Sequence, residues 1–173
     1  NEGGIIKPAK IKPHKKILDT NKPITIRAPF RPIALALRPH AEKEIKRLMD
    51  LDIIEASNSP YHSPAFLIAK KGAKGDNTKF RLISDLRLVN KHVIRSFQPL
   101  PDMDTTTSLW HGCKLWSSLD MSQGYFQLEL HEDSRHITSS SIPGVAKFQY
   151  KRIPLGLSSS ITSQRLTLAS QRK

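Results

Sequence analysis

The sequence predicts an α+β fold, and three observations carry that prediction. RPHAEKEIKRLMDLDIIEAS (38–57) opens with apolar residues at helical spacing. AFLIAKK (65–71) and KFRLISDLR (79–87) read as one strand pair, and HITSSS (136–141) and KFQYKR (147–152) as another. Antiparallel pairs with intervening helices define the α+β class.

In chain order, residues 1–37 are basic and broken by Pro8, Pro13, Pro23, Pro29 and Pro32, which predicts an extended arm with short strands at best. ITIRAP (24–29) alternates briefly, as an edge strand does. In the helix that follows, Ala41, Ile45 and Leu48 share a face, with Asp52 at its margin. Glu42 faces Lys46 and Lys43 faces Arg47 at i,i+4. Pro39 suits the first turn, and the helix should end near Leu51, before IIEA. Its basic outer face suits either phosphates or plain solvation. SNSPYHSP (57–64) is a turn cluster leading into the first strand pair, whose loop is GAKGD (72–76). RSFQPLPDMD (95–104) is a Pro-punctuated connection. A short helix over DMDTTTSLW is expected if Asp102 or Asp104 caps it, against the poor helix propensity of three threonines. KLWSSLD (114–120) is expected as a strand. SQGYFQLEL then holds a turn or short helical piece and a return to extended chain. The second strand pair turns around Pro143-Gly144. The Ser/Thr-rich LSSSITSQRLTLAS has mixed propensity and room for a Ser-capped final helix.

A chain of 173 residues suffices for one domain or part of a larger one. The net charge of +13 exceeds what solubility needs and points to a polyanion, nucleic acid before membrane surface. The single cysteine, Cys113, excludes an intrachain disulfide framework and Cys₄ or Cys₂His₂ zinc sites. No apolar run approaches the roughly 20 residues of a membrane helix. The N-terminus lacks a signal-peptide pattern and an initial Met, as an excised or incomplete piece would. No internal repeat is visible.

Within LWSSLDMSQGYFQLEL (115–130), Asp120 closes a largely apolar run. An acid at a strand end is held rigidly, which suits a metal ligand, and Met121 can add its backbone carbonyl. An exposed acid capping the SQGY turn is the other reading. Gly124 relaxes that turn, and Tyr125 and Phe126 place rings nearby. One carboxylate does not make a two-metal site, which needs several acids around ions about 3.5–4 Å apart. Asp102, Asp104, Glu129, Glu132 and Asp133 are available, but no pattern positions them. Arg81, Asp85 and Arg87 share a face if the strand runs through them. Arg81 there suits a triphosphate, and Asp85 can pair with Arg87 to fix the loop; surface ion pairing of little energetic weight is the alternative. Lys70, Lys71 and Lys74 crowd the adjoining hairpin. His14, His40, His62 and His92 read as ordinary surface or turn histidines. His131 and His136 lack H-E-x-x-H spacing, and neither a phosphate-binding G-x-x-x-x-G-K-[ST] loop nor a G-x-S-x-G elbow occurs.

SNSPYHSPAFLIAKK, FRLISDLRLVNK, QPLPDMD, LDMSQGYFQLEL and KFQYKRIPLGL, in this order and spacing, resemble the reverse transcriptase domain of Gypsy-type long-terminal-repeat retrotransposon Pol polyproteins. The resemblance runs from about Asp19 to Arg165. It implies the fingers and partial palm of a right-handed polymerase over 38–173, preceded by the basic arm, 1–37, and stopping before the family's Y-x-D-D hairpin. Under it, Asp120 matches the first catalytic aspartate, a metal ligand with the Met121 carbonyl beside it. Arg81, with Lys70 or Lys71, matches the fingers residues on the incoming triphosphate. Tyr125 matches the residue that screens the nucleotide 2′ position. Asp85, Arg87 and Asn90 match the segment that shapes the fingers and template side, and Pro154, Leu155 and Gly156 the turn at the nucleotide pocket.

The implied chemistry is template-directed nucleotidyl transfer with two Mg²⁺ ions. The implied partners are an RNA or DNA template with primer, deoxynucleoside triphosphates and the remainder of a Pol polyprotein, without a membrane. Cytoplasmic or intracellular particles are the implied location. The chain departs from the family pattern at several places. It contains no Y-x-D-D, so only one of three catalytic carboxylates is present and the isolated chain is expected not to polymerise. Ser84 and Leu86 stand where the family has Val and Tyr, Leu155 where it has Phe, and SSSITSQ is one residue shorter than the family segment and lacks its Pro and Phe. A chain ending there would leave a sheet edge open and apolar faces exposed. A non-catalytic nucleic-acid-binding fragment and a decayed retroelement remnant are the alternative readings.

Overall fold

Apolar side chains at positions 41, 45 and 48 set the frame. They lie on one face of α1 (Arg38–Asp50), which carries Pro39 in its first turn, and all three are buried. Here and below we describe a computed structural model, which covers residues 6–19, 26–70, 80–94, 102, 104, 108, 111–112, 114–115, 117 and 123–158. The helix ends in a Schellman motif. The Asp52 N–H donates to Met49 O (2.9 Å) and the Ile53 N–H to Leu48 O (3.0 Å), while Leu48 and Ile53 meet in the core. Asp52 therefore lies beyond the helical face, in the left-handed region at φ 54°, which a short polar side chain tolerates. The ion pair on the outer face also differs from the expected spacing: Arg47 bonds Glu44 at i,i+3, 2.8 Å.

Five strands form one sheet in the order β1-β5-β4-β2-β3: β1 (Ile54–Ala56), β2 (Ser63–Ala69), β3 (Phe80–Ser84), β4 (Ser140–Ile142) and β5 (Ala146–Tyr150). β2 joins the two expected pairs. Its first residues run parallel to β4 (Ser63↔Ser140), and from Ala65 onward it runs antiparallel to β3 (Ala65↔Ser84 to Ala69↔Phe80). The β4–β5 turn has Pro143 in its second position and Gly144 in its third. At φ +72°, Gly144 has the conformation a type II turn requires there, and Val145 N–H closes it on Ile142 O at 3.1 Å.

The α+β expectation holds, with local corrections. β3 stops at Ser84 and α2 (Arg87–His92) follows, where a strand to residue 87 was expected. The first strand of the second pair starts at Ser140, because residues 136–138 form a 3₁₀ turn. Thr138 Oγ1 donates to Arg135 O (2.7 Å) and accepts the Tyr150 N–H (3.0 Å), local bonds that replace a strand ladder. The strand expected over 114–120 finds no support in its described residues: Lys114, Leu115 and Ser117 belong to no strand, and Leu115 is 92 % exposed. Asp104 and Ser108 are helical, and most of the connection around them lies outside the described residues. β1, within IIEA, is too short to show alternation.

Residues 6–14 run as a strap along segment 126–131, and residues 17–19 continue along 92–94. The Ala9 N–H donates to Gln127 O (2.7 Å), the His14 N–H to Glu129 O (2.9 Å), and the His131 N–H to His14 O (2.8 Å). The edge strand expected at 24–29 is reduced, in its described part, to a single bridge, Arg27↔His62, beside the fully buried Ile26. One core lies between α1 and the sheet, around Phe148 and Tyr150. A second gathers Ile26, Leu86, Val89, Leu128, Leu130 and Ile153 around α2. Among the described residues, no helix is long and apolar enough to cross a membrane.

Candidate functional site

Among the described residues, the β2–β3 pair presents two cations. Arg81 is exposed in β3, opposite Ile68. Lys70 follows β2 directly and is also exposed; strand parity, continued by one residue, puts it on the face of Ile68 and so of Arg81. No carboxylate pairs with either among the described residues. Lys71 and Lys74 lie outside them.

Beyond the hairpin, the chain turns on Asp85. Its backbone N–H donates to Pro64 O (2.9 Å), the last tie to the sheet. Its carboxylate accepts Nε (2.8 Å) and Nη2 (2.6 Å) of Arg87, the first residue of α2. The Arg87 backbone N–H (3.3 Å) and Arg31 Nη2 (3.4 Å) also point at it. The bidentate bond from Arg87 is the main reason the Asp85 carboxyl is held below the usual carboxylate range. The expected Asp85–Arg87 pair therefore forms, but through a helix start rather than strand alternation, and Arg81 is not part of it. Arg31, which sequence reasoning missed, also lies over the Phe66 ring at 5.2 Å.

α2 is stapled to the turn at 154–157. Asn90 Nδ2 donates to Gly156 O (2.7 Å), and the Ser158 N–H donates to Asn90 Oδ1 (2.6 Å). Gly156 adopts φ +86°, Pro154 is buried, and Leu155 is 37 % exposed. Asp85, Arg87, Asn90, Pro154, Leu155 and Gly156 thus form one continuous assembly around α2. Tyr125 lies in a 3₁₀ turn (Gly124–Gln127) and is half-buried.

Arg152 ties this turn to the rest and was also missed. It is 5 % exposed. Its guanidinium donates to Phe126 O (2.9 Å), Ile6 O (2.8 Å) and Asp52 O (3.1 Å), joining the Tyr125 turn, the strap and the end of α1. The available signal was parity: Phe148, Tyr150 and Arg152 alternate on the buried side, and a cation in such a series has to find acceptors. His62, expected at the surface, is another correction. It is buried, with Nδ1 on Ala28 O and Nε2 on Ser141 Oγ, both at 2.8 Å. A carbonyl only accepts, so a neutral ring donates from Nδ1 and accepts the serine hydroxyl at Nε2. With Phe30 and residues 141–147 it lines an open depression that none of the described site residues enters.

Asp120 and Met121, the expected metal ligands, lie outside the described residues. Among the described residues, no three His, Cys, Asp or Glu side chains are grouped to hold an ion. The expected metal pair therefore has no ligand set among the described residues.

Residues 68–170, more than half of the chain, match the family model for reverse transcriptase (RNA-dependent DNA polymerase). The Pol polyprotein of transposon gypsy from Drosophila melanogaster is 34 % identical over 138 residues, covering 79 % of this chain and 13 % of that protein. That of transposon 412, from the same fly, is 36 % identical over 125 residues, covering 69 % and 10 %. An enzymatic polyprotein of Cauliflower mosaic virus (strain CM-1841) is 33 % identical over 120 residues, covering 69 % and 17 %. The chain therefore spans a small part of the curated relatives it matches. The solved foamy viral protease–reverse transcriptase in complex with double-stranded DNA superposes with a TM-score of 0.72 at 21 % identity, covering 94 % of this chain and 27 % of that one, a likeness of fold. This chain belongs to the reverse transcriptase (RNA-dependent DNA polymerase) family.

Proposed function

We propose that the chain is the fingers and first part of the palm of an RNA-directed DNA polymerase within a Pol polyprotein, and that it holds template, primer and incoming nucleotide. The family match over 68–170 carries this reading. The hairpin cations and the α2 assembly support it in detail. Arg81 and Lys70 are suited to the triphosphate, because cations on one face without a carboxylate partner among the described residues meet an anion without first breaking an ion pair; Lys71 would assist them. The Asp85–Arg87 pair and the Asn90 staple hold the template side and the 154–156 turn in fixed relation. Tyr125, on a turn anchored by Arg152, would limit the sugar. Asp120 and the Met121 carbonyl would hold magnesium, which supplies charge stabilisation for the attacking and leaving oxygens when bound. The 173 residues contain no Y-x-D-D, so by themselves they are expected to grip template–primer without extending it.

Primer extension with magnesium tests this, run on the 173-residue chain beside Asp120→Asn, with duplex binding measured in the same samples. Salt-sensitive binding without extension is expected. Extension that disappears in the variant would show that acids within the chain complete the site. A folded sample without salt-sensitive binding would overturn the nucleic-acid reading.

A further inference from the structure

Side chains along the strap divide by position. Ile6, Ala9, Ile11 and Leu18 are half-buried and pack on the two cores, whereas Lys7, Lys10 and Lys12 are exposed. Lys15 is taken by Asp133 at 2.7 Å, but no carboxylate pairs with Lys7, Lys10 or Lys12 among the described residues. The backbone beneath them is fixed before any partner arrives. Pro8 and Pro13 fix φ at their own positions, a γ-turn at Lys10 is closed by the Ile11 N–H on Ala9 O (2.8 Å), and the segment is anchored at Ile6 O by Arg152, at Ala9 N–H by Gln127 O and at His14 N–H by Glu129 O. The turn at Lys10 keeps the row shorter than the roughly 16 Å that five fully extended steps would span. Residues 1–37 hold six lysines and two arginines against Glu2 and Asp19, so the arm keeps a net positive field.

We propose that Lys7, Lys10 and Lys12 form a second nucleic-acid contact, a preordered row that grips the phosphate backbone of a single strand without reading its bases. It is separate from Lys70, Arg81 and the Asp85–Arg87 pair, and it starts beside the turn that carries Tyr125. Preordering lowers the entropy lost on binding, and lysine ammonium groups recognise phosphate as point charges. The proposal rests on the nucleic-acid reading above.

The test is fluorescence anisotropy of a short labelled single-stranded RNA, titrated at several salt concentrations with the 173-residue chain and with its K7Q/K10Q/K12Q variant. The three side chains are exposed, so the variant should melt like the parent. It should bind more weakly, and the slope of log K against log salt should become shallower by about 2, from about 0.7 per phosphate contact on single strands. A parent that binds with a variant of equal affinity and slope would overturn the lysine row alone. A folded parent without salt-sensitive binding would overturn both the row and the wider reading. A third arm uses phosphatidylserine-containing vesicles: loss of vesicle binding with RNA binding unchanged would assign the row to a membrane surface and overturn the proposal.

Discussion

The core under α1 is made of residues at regular spacing: Ala41, Ile45 and Leu48 from the helix, then alternate residues of β5, Phe148 and Tyr150. The core beside α2 draws on Ile26 from the arm, Val89 from a six-residue helix, Leu128 and Leu130 after a 3₁₀ turn, and Ile153 past the end of β5. These pieces have no common period. Specific polar ties hold them in register, namely Arg152 on three carbonyls and Asn90 on Gly156 and Ser158. The described residues of the candidate site, Lys70 and Arg81 apart, border this second core. Both halves bury large apolar side chains, but the geometry of the site depends on hydrogen bonds in the irregular half.

That division predicts two kinds of failure. Phe148 is fully buried, and Phe148→Ala should cost about 3–5 kcal/mol in chemical denaturation. Amide protection should fall throughout both cores together, since the lesion acts through global unfolding. Arg152→Met keeps the apolar stem but leaves Phe126 O, Ile6 O and Asp52 O without their donor, at about 2–3 kcal/mol. Here the Ala9 and His14 amides should exchange faster before α1 does. Equal loosening of α1 and the strap in Arg152→Met would dissolve the distinction between the halves.

The same contrast explains what was legible in the sequence. α1, β2 and the β4–β5 hairpin carry their own signals: helical spacing, alternation, and a Pro-Gly turn. The pairing of Asp85 with Arg87 was foreseen because the residues are close in sequence. α2 was not foreseen, because RLVNKH offers one fully buried apolar residue, Val89, and continues a plausible strand. The Asn90 staple and the three carbonyls on Arg152 join residues 66 or more apart in every case but one, and 26 apart in that one, which no local pattern reveals. Burial of His62 likewise depends on Ala28 and Ser141, which the fold brings to it from opposite sides in sequence.

Asp85 gives the smallest effect and the sharpest test of the second half. Its carboxyl is held below the usual range chiefly by Arg87, with Arg31 adding to the field. A carboxylate with a lowered folded-state pKa stabilises the fold above the unfolded value of about 3.9, and that contribution is lost as pH falls through the folded value. Because Arg87 is 78 % exposed, water and salt screen the pair, so Asp85→Asn should cost only about 0.2–1 kcal/mol at neutral pH. The difference between parent and variant should stay constant from pH 7 to about pH 5 and vanish in acid. Added salt should shrink it at neutral pH. The variant also frees Arg87 from its bidentate hold at the start of α2 while Asn90 still clamps the other end. If the position of Arg87 matters to a bound strand, nucleic-acid affinity should change by more than the small loss of stability predicts. Affinity that follows stability alone would make the Asp85–Arg87 pair a helix start and nothing else.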